Sequence, residues 1–173
     1  MGILVRLLLG CTLAVVLVFP VFAGPPDGAP SGVLNTTYLI EKQAVQLVNG
    51  RVEVQAVPGS AMKMTTVVFG KPTYGDLDSE GHDDAALFLV QDSGGSGTFY
   101  YVAVAIAKNG IYRGTNAVLL GDRVVPRSIH IRNGVIVAKY DDRHPEQPMA
   151  VTPSIGKTMY LTLKEGHLTV IKP

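Results

Sequence analysis

The sequence predicts an all-β domain, an antiparallel sandwich or small barrel with several hairpins and little helix outside an N-terminal export segment. Three observations carry that expectation. From Thr37 onward, Gly, Asn or Pro punctuates the chain every eight to twelve residues. The runs between the marks are rich in β-branched and aromatic residues, which fit a pleated, half-buried surface. No window carries a sustained 3.6-residue apolar stripe with caps. Short strands at regular spacing, joined by tight turns, belong to sandwiches and barrels.

Residues 1–23 read as a secretory signal peptide. Arg6 is their only charge, residues 7–18 are densely apolar, Pro20 breaks the helix, and Val21-Phe22-Ala23 leads into Gly24 as a cleavage site would. The stretch 3–22 is about 20 residues, just long enough to span a bilayer, so retention as an anchor is the alternative. Residues 24–34, rich in Pro and Gly, are a flexible leader, and 35–173 form a single β domain.

Along that domain the pattern predicts strands over 37–41 and 44–48, then an Asn49-Gly50 hairpin turn, because both central positions tolerate positive φ. Arg51-Val-Glu-Val-Gln55 alternates with period two, as a half-buried strand does. Pro58-Gly59-Ser60 interrupts, and a strand follows over 62–69. Residues 85–90 and 98–107 are nearly continuous apolar runs, expected at the centre of a sheet. Residues 103–107 alone suit a helix, but Phe99-Tyr100-Tyr101-Val102 leads into them and favours a strand. Tyr112 and 117–120 follow Asn109-Gly110; 128–132 and 135–140 flank Asn133-Gly134; 159–164 and 167–171 flank Glu165-Gly166. His130, Arg132, Lys139 and Lys164 are outward-facing strand residues on this reading.

The chain has 173 residues, 47% hydrophobic and 17% charged. Without residues 1–23 it keeps 150 residues, enough for one domain with its own core. Its 15 cations then fall to 14, matching 14 acids. A neutral chain lacks the basic excess of a general nucleic-acid binder, and its apolar content argues against disorder. The only cysteine, Cys11, lies in the export segment. The mature domain is therefore expected to have no disulfide, thiol nucleophile or Cys-based zinc site.

The chemistry concentrates in Asp76-Leu-Asp-Ser-Glu-Gly-His-Asp-Asp84. Counted from Asp76, acids fall at positions 1, 3, 5 and 9 with Gly81 at 6, the first part of a calcium-loop spacing. Calcium takes about six to eight hard oxygens. The expected ligands are the side chains of Asp76, Asp78, Glu80 and Asp84 and the backbone oxygen of His82, with Asp83 pointing outward. Leu87 stands at position 12, where an EF-hand has a bidentate Glu. The segment runs into a strand, so it is a strand-associated D-x-D-x-E-G-x-x-D loop of the dockerin or integrin-repeat sort.

No residues form a convincing catalytic set. Asp92-Ser-Gly-Gly-Ser-Gly97 lacks the Lys and helix of a P-loop and reads as a hairpin tip. Asp141-Asp142-Arg143-His144 precedes the Pro-containing segment 145–153 and reads as a surface turn. The enzymatic alternative is a hydrolase with a polar cleft around Asp141 and His144, drawing on Asp122, Arg123 and Arg143. A further alternative is a secreted inhibitor presenting 94–97 or 145–153.

Three blocks, Gly75-Asp-Leu-Asp-x-x-Gly-x-Asp-Asp-Ala-Ala86, Gly94-Gly-Ser-Gly-Thr-Phe-Tyr-Tyr-Val102 and Gly114-Thr-Asn-Ala-Val-Leu-Leu-Gly-Asp-Arg123, resemble a group of small exported or lipid-anchored bacterial proteins of unassigned function. The resemblance spans roughly residues 35–171 and implies an envelope location and a β-rich fold. Relatives carry Asp or Asn where this chain has Glu80. The expectation is thus an exported, non-enzymatic β domain, periplasmic or extracellular, with a structural calcium. Its partner would be an envelope protein or glycan, not nucleic acid, and it would meet the membrane only through residues 1–23 if these are retained.

Overall fold

A computed structural model describes residues 32–172 apart from Pro58, Ser60 and Ser96. The export segment and the leader up to residue 31 lie outside the described residues. The end of the leader does not: Val33 is buried, Leu34 accepts a hydrogen bond from the Gly50 amide at 2.7 Å, and Val33–Asn35 form a 3-10 turn. The folded unit therefore takes in residues assigned above to the leader.

Twelve strands follow, all in antiparallel pairs, and no α-helix occurs among the described residues. β1 (Thr37–Ile40) and β2 (Gln43–Gln46) form a two-stranded sheet. β3 (Arg51–Gln55), β4 (Lys63–Gly75), β5 (Asp84–Asp92), β6 (Thr98–Lys108) and β7 (Ile111–Gly114) lie in that order in a second sheet. β8 (Val118–Asp122) completes it by pairing with residues 99–102 of β6, while β7 takes residues 105–108. β9 (Val125–Arg132), β10 (Val135–Asp142), β11 (Ile155–Lys164) and β12 (His167–Ile171) make a four-stranded meander. None of the sheets closes on itself, so the architecture is a sandwich rather than a barrel.

The apolar runs of β5 and β6 explain the layering. Successive side chains on a strand point to opposite faces. Ala86, Phe88, Val102 and Val104 face Ile129, Ile136, Ala138 and Leu161 of the four-stranded sheet. Ala85, Leu87, Leu89, Ala103 and Ala105 face the other way, against Tyr38, Ile40, Val45 and Leu47 of the β1–β2 layer. Both faces are covered, which is why these strands lack the polar alternation of a half-solvated strand. The small side chains at 85, 103 and 105 have a purpose here. With Gly114, where a Cβ would collide with the Thr37 carbonyl and the Tyr38 ring, they let β1 sit close on the sheet.

Several elements differ from expectation. The Asn49-Gly50 turn forms, with φ of 52° and 77° and mutual backbone hydrogen bonds between Val48 and Arg51. Beyond that pair the strands part, because β2 joins β1 and β3 joins β4. β3 is less buried than its alternation suggests; only Val52 is part-buried. β4 runs past Phe69 through Lys71-Pro72 to Gly75. Its register with β5 shifts between Phe69 and Thr73, where Gly70 has φ of 74°. β3 pairs only with residues 63–67, so Pro72 faces no second ladder that would need its missing N–H.

Candidate metal centre

The β4–β5 connection is the acidic loop. Gly75 pairs with Asp84 and closes its base. A Cβ at Gly75 would lie 2.9 Å from the Ile131 side chain, so glycine there lets β9 pass close under the loop. Leu77 is buried in the core between the two larger sheets and pins the loop's first half. Ser79 and Gly81, with φ of 63° and 81°, turn the chain back.

Carboxylate oxygens of Asp76, Asp78 and Asp84 all lie within 4.8 Å of one another, a cluster able to hold a metal ion. Each carboxylate is positioned by backbone amides. Asp84 accepts from the amides of Leu77 at 3.0 Å and Ala107 at 2.9 Å, tying the loop to the end of β6. Asp76 accepts from Gly81 at 3.0 Å and Asp78 from Glu80 at 3.1 Å. The second oxygen of Asp76, Oδ1, is buried and has no hydrogen-bond partner. A buried acceptor without a donor is costly, and a cation would satisfy it.

Electrostatics point the same way. Asp84 is 1% exposed. Burial pushes its carboxyl above the usual carboxylate range; the Ala107 and Leu77 amides pull it back, and the neighbouring Asp78 and Asp76 charges raise it further. A carboxylate held among like charges is one that a divalent cation stabilises.

Glu80 lies outside the cluster and pairs with Lys108 at 3.5 Å, both exposed. His82 and Asp83 are exposed, and the Asp83 carbonyl accepts from the Tyr112 hydroxyl at 3.3 Å.

Most polar residues of the enzymatic alternative are engaged by neighbours, and Arg143 reaches the Arg123 carbonyl beside Asp122. Asp141 is held by Arg127, and Asp142 by Lys157 at 2.6 Å. Burial opposes it, but the Lys157 hydrogen bond and the Arg143 amide hold Asp142 below the usual carboxylate range. Arg143 donates to the carbonyls of Val151 and Arg123, which clamps the 145–153 segment. Asp122 accepts from the Thr98 amide and from Arg123. His144 is exposed, and its backbone amide bonds Gln147. At the β5–β6 tip the Gly94 amide bonds Asp92, and a Cβ on Gly94 would strike the Lys63 carbonyl, so this glycine permits close packing on β4. Ser96 lies outside the described residues.

One residue that the sequence did not single out joins all three sheets. Asn116, between β7 and β8, bridges Leu39 of β1, and its side chain both donates to the Leu168 carbonyl and accepts from the Leu168 amide, at 2.9 and 2.8 Å. Comparison of the chain with protein-family models, curated proteins and solved structures found no match.

Proposed function

We propose that this chain is an exported, non-enzymatic β domain of the bacterial envelope or its exterior, held in shape by one calcium ion in the acidic loop and working as a binding or structural module. The observation that carries this reading is the triad of Asp76, Asp78 and Asp84 oxygens within 4.8 Å, with the buried, donorless Oδ1 of Asp76 beside it. Hard oxygen donors with no His or Cys among them suit calcium or magnesium; the alternating acids and Gly81 turn favour the larger, more permissive ion. The resemblance of residues 75–86, 94–102 and 114–123 to exported bacterial proteins supports the location, as does the signal-like segment 1–23.

Calcium titration followed by thermal melting tests the reading. A ligand that binds only the folded state stabilises it by about 2.7 kcal/mol at a hundred times its Kd, roughly 5–10 °C in a domain this size. The expected outcome is such a rise, reversed by chelator and absent in the Asp76→Ala/Asp78→Ala variant. An unchanged melting temperature at millimolar calcium would exclude the ion.

A further inference from the structure

No element among the described residues packs over the outer face of the four-stranded sheet. Strand alternation turns Ile129, Ile136, Ala138, Leu161 and Leu168 inward and leaves the intervening residues on the opposite face. A straight cross-strand row there runs His130, Val137, Tyr160, Ile171. The last three are part-exposed and form an aliphatic–aromatic strip. Around it stand Arg132, Lys139 and Lys164, all exposed and none in an ion pair. Lys139 sits opposite Ser128 and Thr158, and Lys164 opposite His167. The one acid on the strands of this face, Asp141, is taken up by Arg127, and Glu165 is confined to the turn at its edge.

We propose that this face docks on an anionic lipid bilayer. Three cations without counter-charges match a negatively charged surface. Lysine and arginine lay their apolar stems along such a surface while the heads reach the phosphates, and tyrosine sits with its ring in the interface and its hydroxyl in water. Val137 and Ile171 extend the same strip into the headgroup region. A soluble polyanion would satisfy the cations but leave that strip in water, so the combination favours a bilayer. The contact does not depend on the calcium loop, and it is additional to any anchoring by residues 1–23.

Co-sedimentation of the full chain with vesicles tests it. Phosphatidylcholine vesicles are compared with mixed phosphatidylcholine–phosphatidylglycerol vesicles at low salt. Residues 1–23 can attach to either, so the readout is the difference between the two. The expected result is a preference for the anionic vesicles that weakens with salt. It should fall roughly fivefold for Lys139→Gln, and on the order of a hundredfold for Arg132→Gln/Lys139→Gln/Lys164→Gln. Neutralising Lys42, Lys71 and Arg113, exposed cations on other strands and turns, should leave it intact. Tyr160→Ser should weaken the anionic partitioning without abolishing its salt dependence. Equal partitioning onto both vesicles, a triple variant that still prefers the anionic ones, or an equal loss from the control substitutions would overturn the proposal. Capture by soluble heparin without any vesicle preference would also overturn it and assign the face to a polymer.

Discussion

Asp142 shows how much one carboxylate can organise. It receives the Lys157 ammonium and the Arg143 amide, and its own carbonyl accepts from Ser154, so it fixes both ends of the 145–153 segment. Its folded-state pKa is depressed. Stability from a depressed acid is present above its unfolded value, about 3.9, and is lost as pH falls through the lower folded value. Asp142→Asn should therefore melt below wild type at pH 7, and the gap should close as pH drops below about 3.9; a gap independent of pH would assign the loss to packing. Much at this scale was legible in the sequence. The 1, 3, 9 acids of the loop do meet in space, because alternation and Gly81 are local instructions. Glu80 was not legible, since its partner Lys108 comes from a strand 28 positions away. Nor was Asn116, whose spacing to Leu168 carries no pattern at all.

Five tight turns share one geometry, and four of them have glycine at the second position. Asn49-Gly50, Asn109-Gly110, Asn133-Gly134 and Glu165-Gly166 pair φ near 50° with φ between 72° and 77°. The fifth, Glu41-Lys42, does the same at 49° and 70° without glycine and joins β1 to β2. Its sequence carries no turn signal, so this hairpin could be expected only from its flanking strands. The left-handed conformation costs a non-glycine residue about 1–2 kcal/mol. Lys42→Gly should relieve the second position, offset in part by the greater entropy glycine loses on folding. The expected gain is about 1 kcal/mol, seen as a melting temperature roughly 2–4 °C higher. The Tyr101 hydroxyl, 3.3 Å from the Glu41 carboxylate, supplies one compensating contact for the strained turn. The central strands were the most readable elements, because burial on both faces leaves an unbroken apolar run. The paths of β2 and β3 were the least readable, because a turn motif specifies the bend and not which neighbours its arms take beyond it.

For the molecule as a whole, the β1–β2 layer packs on Leu87, Leu89 and Tyr101 and also depends on close approach at Gly114. Gly114→Ala would drive a methyl into the Thr37 carbonyl and the Tyr38 ring. Overpacking of this kind costs about 1–3 kcal/mol. Amide exchange should accelerate first over residues 37–46, while the β9–β12 sheet stays protected; uniform acceleration would mean that the layers unfold as one. Each of the two larger sheets is also drawn from an unbroken stretch of chain, residues 51–122 and then 125–171. Pairings between neighbours in sequence close early and cheaply, so the fold has a direction in time. As the chain emerges from its amino end, the first sheet and its β1–β2 cover can assemble while Ala86, Phe88, Val102 and Val104 still lack their partner layer. Until the last third of the polypeptide arrives, that bare face is open to association with other chains. A product that stops near residue 123 would therefore be driven toward aggregates, and supplying residues 125–172 as a separate peptide would offer that face the surface it normally receives.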